Sequence, residues 1–142
     1  MEPAFWDSSS LVPLCIQQVS TQLAEALSQQ YEIVVWWAAP VEIRSAFARL
    51  LRMGRLTSID MGQAHVVLDD LRINWREIAP SEQIRDEAGR LVDRFPLKAA
   101  DALQLAAALA WCLGRSKGRA FLSGDTQLLD AARQLGFQAI PA

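Results

Sequence analysis

Histidine, cysteine and lysine are scarce in this 142-residue chain, which has one His, two Cys and two Lys. Ser-His-Asp or Cys-His chemistry would have to use His65, which lies inside a helical pattern, Met61 to Leu68; that placement argues against both. Cys15 and Cys112 are far apart, neither is in a C-x-x-C pair, and a zinc site has too few ligands. Both are expected to be reduced thiols. There is no G-x-x-x-x-G-K-[S/T] loop and no G-x-G-x-x-G, so the usual phosphate cradles are missing. Long apolar runs are missing too. The most apolar stretch, Ala99 to Leu113, is interrupted by Asp101 and Gln104 and is shorter than the ~20 residues a membrane span needs. Met1 to Asp7 has neither a basic nor an apolar leader region, so no signal peptide and a cytoplasmic location are expected. Basic excess is absent as well: the net charge is −2, which excludes histone-like or tail-driven nucleic-acid binding but leaves room for a local patch of Arg.

What is present suits one globular domain spanning residues 1–142. Hydrophobic residues make up 51% and charged residues 21%, a balance that excludes wholesale disorder. Short apolar or β-branched runs predict strands at 3–6, 31–37, 75–78, 119–122 and 137–140, and Asp7 to Ser10 reads as a turn or cap cluster. Helical periodicity falls between them, at 19–30, from Pro40 to Gly54, 60–74, from a Ser81 cap to Arg94, 98–113, and from an Asp125 cap to Gly136. Alternation of this kind predicts a three-layer α/β/α sandwich around a parallel sheet of four or five strands, with right-handed crossovers.

In such a sheet, ligands bind outside the carboxyl ends of the strands. Asp7 closes the first strand, and Asp125 follows the strand at 119–122. Glu42 and Asp101 sit in the first turns of helices that begin at the same edge. Each acid has a simpler explanation as a cap or a partner of the helix dipole, and Asp101 as a partner of Lys98. Converging on one rim, however, the four would repel unless a cation lay between them. Oxygen-only ligands favour Mg2+ or Mn2+, which supports hydrolysis of a phosphate ester. Asp7 and Asp101 are the expected direct ligands, with Glu42 and Asp125 completing the site directly or through water. Ser8, Ser9, Ser123 and Arg would meet the phosphate; of Arg44, Arg49, Arg52 and Arg55, Arg49 lies closest to the Glu42 side at 100° per residue. Of the tryptophans at 6, 36, 37, 75 and 111, most are expected in the core, with Trp36 or Trp37 near the substrate groove.

The segments Trp6-Asp-Ser-Ser-Ser-Leu-Val12, Pro40-Val-Glu-Ile43, Leu97-Lys-Ala-Ala-Asp-Ala-Leu-Gln-Leu-Ala106 and Phe121-Leu-Ser-Gly-Asp-Thr-Gln-Leu-Leu129, in that order, resemble a PIN-domain ribonuclease of the VapC-like toxin type. The resemblance covers nearly the whole chain and implies an acidic site of Asp7, Glu42, Asp101 and Asp125, supported by Ser8, Ser9 and Ser123. Ser123 stands where the family often has Thr, which keeps the hydroxyl. It further implies RNA cleavage with magnesium or manganese leaving a 5′-phosphate and a 3′-hydroxyl, a homodimer, and a small antitoxin; a basic side chain in the cation's place would block the acidic rim, so the antitoxin tail is expected to set an Arg or Lys against the carboxylates. One metal or two remains open.

Three other readings compete. A haloacid-dehalogenase-like phosphatase would want a second Asp at position 9, which is Ser. A receiver-type module would want an acidic pair at the first strand and a late Lys after its strand, but Asp7 is alone and Lys117 precedes the strand. A PIN-like domain that binds RNA or protein with weak or no nuclease activity stays open.

Overall fold

The computed structural model describes residues 1–142. Its elements are β1 (Glu2–Trp6), α1 (Ser8–Cys15), α2 (Thr21–Gln30), β2 (Tyr31–Trp36), α3 (Ala39–Arg52) and α4 (Ser58–Asn74), then β3 (Arg76–Ile78), α5 (Glu82–Arg94), α6 (Ala99–Trp111), β4 (Ala120–Ser123), α7 (Thr126–Gln134) and β5 (Gln138–Pro141). The five strands form one sheet, order β3-β2-β1-β4-β5, and every pairing is parallel. This is the PIN-like three-layer α/β/α architecture.

Side chains alternate across a strand, so each face of the sheet takes every second residue. Ala4, Trp6, Ala120 and Leu122 face α1 to α4, where they meet Leu11, Leu27, Phe47 and Leu68. Phe5, Val34, Trp36 and Phe121 face α5 to α7, where Leu91, Leu105 and Leu128 cover them. Phe5 and Phe121 stack at 5.6 Å. Burial on both faces is why the strands read as continuous apolar runs rather than as alternating ones.

Two expectations need correction. Of the turn or cap expected after β1, the structure takes the cap: Asp7 is the N-cap of an unexpected helix that runs from Ser8 to Cys15 with Pro13 inside it. Val19 is not helical but fully exposed in the loop before α2. The first helix is only eight residues long and contains a proline, too short for a helical period to stand out, and Val19 matches the apolar spacing of α2 while lying before its Ser20 cap.

The strand order sets the site. From β1 the chain steps outward through β2 to β3, then returns to the other side of β1 for β4 and β5. The reversal lies between β1 and β4, so Asp7 and the Ser123-Gly124-Asp125 turn flank the crevice where doubly wound sheets bind ligands.

Candidate active site

A cavity of about 340 Å³ opens at the carboxyl edge, and Asp7, Glu42, Asp101 and Asp125 all line it, with Ser8, Ser9, Gln18, Ser45 and Arg49. The structure thus brings the four expected acids and Arg49 together. Arg44, Arg52 and Arg55 do not line it. Neither does His65, which packs edge-on against Phe47. Trp36 is buried, Trp37 is 56% exposed, and neither reaches the cavity; Trp6, Trp75 and Trp111 are buried.

Three of the acids share one arrangement: one carboxylate oxygen takes two donors. Asp7 Oδ2 accepts from Ser9 Oγ at 2.5 Å and from Ser123 Oγ at 2.8 Å. Glu42 Oε1 accepts from Ser8 Oγ at 2.7 Å and from Gln104 Nε2 at 2.5 Å. Asp125 Oδ1 accepts from the amides of Gln127 and Leu128, the N-cap geometry of α7. The second oxygen of each is left for another ligand. Asp101 accepts no hydrogen bond, and no ion pair with Lys98 forms; the three ion pairs of the protein are surface i,i+3 pairs on α5 and α7. Asp101 is also only partly buried.

The hydroxyls are ordered in turn. The Gly124 amide donates to Ser9 Oγ at 3.0 Å, and the Asp125 amide donates to Ser123 Oγ at 3.0 Å. A Cβ on Gly124 would stand 3.1 Å from the Ala142 carbonyl oxygen, so a larger residue would crowd the chain's last backbone carbonyl, while Ser9 Oγ at 3.5 Å would be in ordinary contact.

Electrostatics show what the arrangement lacks. Burial pushes the Asp7 carboxyl up, and the Ser9 and Ser123 hydroxyls only partly oppose this. Asp101 is pushed up to about 6, first by desolvation and then by the charges of Asp7 and Asp125. Groups shifted this way seek a positive charge, and Arg49 is the sole basic side chain on the cavity wall. The donor set is all oxygen, and hard divalent cations suit it. No three of the acids stand close enough together to make a finished chelating cluster.

Gln104 is a site residue that the sequence marks only as a polar interruption of an apolar helix; its partners, Ser8 and Glu42, lie on other elements.

A PIN-like fold with a carboxylate-lined crevice at its switch point defines the class, and comparisons with known proteins point the same way. No family model matches the chain. Ribonuclease VapC45 of Mycobacterium tuberculosis (strain CDC 1551 / Oshkosh) is 28% identical, over all of this chain and 97% of its own. VapBC2 from Rickettsia felis bound to a DNA fragment from their promoter superposes with a TM-score of 0.65 at 12% identity, over 97% of each chain. A toxin-antitoxin complex from Klebsiella pneumoniae gives 0.61 at 15% identity, over 87% of this chain and 88% of that one. The similarity to the VapC ribonuclease runs along the whole chain.

Proposed function

We propose that this protein is an endoribonuclease that requires Mg2+ or Mn2+ and acts as the toxin of a toxin–antitoxin pair. One observation carries the reading. Three carboxylates each present a free oxygen beside an unpartnered Asp101, in a cavity with one exposed Arg. The name of the M. tuberculosis relative supports RNA as the substrate.

Asp7 and Asp101 would hold the cation, with Glu42 and Asp125 beside them directly or through water. When bound, the cation would neutralise charge on a phosphoryl oxygen and make water a better nucleophile. Ser9 and Ser123 keep Asp7 in one rotamer, and the α7 amides do the same for Asp125. Arg49 meets a non-bridging phosphate oxygen. Purified protein incubated with RNA in Mg2+, Mn2+ or chelator tests the reading. Cleavage confined to the metal arms, with 5′-phosphate ends on mapping, is the expected result. Tight RNA binding with no cleavage in any arm would favour the binding-module alternative.

The antitoxin reading draws on the neighbouring toxin-antitoxin complex and on α4. That helix buries Ala64 and Leu68 inward, yet Ile59, Val66 and Ile73 stand 74%, 60% and 76% exposed on its outer side. They recur every seven residues, which falls within about 20° of two full turns, so they make one stripe. Exposed Asp69 and Asp70 lie within about 60° of it, and they suit an amphipathic partner helix with basic flanks. Val66→Asp is expected to weaken antitoxin binding by at least about tenfold. It should change stability by no more than about 0.5 kcal/mol and leave RNA cleavage intact. Titration of the purified pair, beside melts and a cleavage assay, checks this; unaltered affinity would place the antitoxin elsewhere. A homodimer in the cytoplasm is the expected state, and a monomeric mass by light scattering at micromolar concentration would count against the dimer.

No helix is long and apolar enough to cross a membrane.

A further inference from the structure

Gln104 is 1% exposed in the middle of α6, among Ala102, Leu105, Ala106 and Ala107. Its Nε2 donates to Ser8 Oγ at 2.8 Å and to Glu42 Oε1 at 2.5 Å, while its Oε1 has no partner. The orphaned carbonyl costs stability and offsets part of what the two donated bonds contribute, so the fold gains little net from an amide at this position.

The bonds run in one direction. Ser8 Oγ has a single proton, and it goes to Glu42. Because Gln104 donates to that same Oγ, the hydroxyl is turned to donate onward. Glu42 Oε1 thus receives one direct bond from Gln104 and one relayed through Ser8, and Glu42 Oε2 alone remains for the cavity. Gln104 also lies one turn after Asp101 on α6, so one rigid helix carries the unpartnered acid and the group that aims its neighbour. The three residues come from the starts of α1 and α3 and from the interior of α6, the two layers that meet over the sheet edge.

We infer that Gln104 is a positioning residue that, with Ser8, locks the Glu42 carboxylate so that its free oxygen faces the cation and attacking-water position. The inference rests on the metal-dependent reading above and goes beyond it by assigning the group that orders Glu42. Supporting groups of this kind typically change metal affinity 10- to 100-fold when removed.

Mn2+ binding, followed by calorimetry without RNA, reads the effect directly. Gln104→Leu should weaken Mn2+ by at least about tenfold. Gln104→His, which can present an N–H at similar reach, should recover most of the lost affinity. In a Glu42→Ala background, Gln104→Leu should cost no further affinity, since the residue it acts through is gone. Unchanged Mn2+ affinity in Gln104→Leu, or a full further loss in the Glu42→Ala background, would overturn the inference. Should Gln104→Leu fail to fold, Ser8→Ala takes its place: it removes the relay alone, and a Mn2+ affinity equal to wild type would count against the lock. Asp101→Asn run in parallel separates the two levels. If it abolishes Mn2+ binding while Gln104→Leu and Ser8→Ala leave it intact, only this inference fails. If all three bind like wild type, the metal-site reading fails with it.

Discussion

Asp101→Asn is expected to lower RNA cleavage by at least about a hundredfold, the scale of a perturbed metal ligand, while raising the melting temperature of the metal-free protein. The substitution keeps shape and removes charge. Asp101 accepts no hydrogen bond and has no ion-pair partner, so little is lost in the fold. Its pKa is pushed up to about 6 by desolvation and by Asp7 and Asp125, so its charge at neutral pH works against folding. Asp101 is only partly buried; after discounting for solvent screening, the relief amounts to about 1–2 kcal/mol, or a few degrees in a chain of this size. If Asp101 instead served the fold through Lys98, Asn would lower the apo melting temperature and leave cleavage unchanged. Melts in chelator beside a cleavage assay separate these outcomes, and full cleavage with a lowered melting temperature sinks the metal-site reading.

The second large effect is a dependence of stability on pH that a divalent cation should reverse. The Asp101 carboxyl titrates at about 6 in the fold against an ordinary value of 3.8. Between those values the folded state holds more protons than the unfolded chain, so Asp101 makes apo stability fall as pH rises from about 4 to about 6. Asp7, raised by burial, acts in the same direction. Asp60 acts in the opposite sense, because bonds from the Thr57 backbone and side chain hold its pKa down, but its effect lies below the ordinary Asp range and outside this window. A cation binds only the ionised site. It should therefore add little at pH 5 and, at a hundred times its dissociation constant, about 2.7 kcal/mol at pH 7.5. Thermal melts at both pH values, in chelator and in Mn2+, give four numbers that test this, and Asp101→Asn should flatten the apo slope. An apo melting temperature that rises from pH 5 to pH 7.5, for wild type and Asp101→Asn alike, would show that these carboxylates carry no such strain.

Much of this molecule was legible residue by residue. Pro3 to Trp6 and Arg119 to Leu122 announce buried strands because parallel strands covered on both sides contain little but apolar residues. The placement of the four acids followed from the same reading. A residue that ends a parallel strand, or opens a helix at that edge, lies on one rim whatever the packing angles are. Asp125 could be recognised as a cap because capping is local, with its amide donors two and three residues on. Asp101, Glu42 and Arg49 reached the cavity as helical geometry predicts.

Tertiary structure decided the rest, wherever an outcome depended on groups distant in the chain. Ser8, next to Asp7 in sequence, serves Glu42, 34 positions away; Ser9 and Ser123 hold Asp7. Gln104, three residues from Asp101, bonds to Ser8 and Glu42, 96 and 62 positions away, since the packing of α6 against the other layer sets which groups an interior side chain meets. The outward stripe of α4 was hidden because apolar residues on both sides of a helix cancel its periodicity, and only packing shows which side is covered. Local chemistry is written in neighbouring residues, so the sequence determined the strands, the caps and the list of acids. Which oxygen each acid keeps free depends on donors brought from far along the chain, and only the folded packing supplies them.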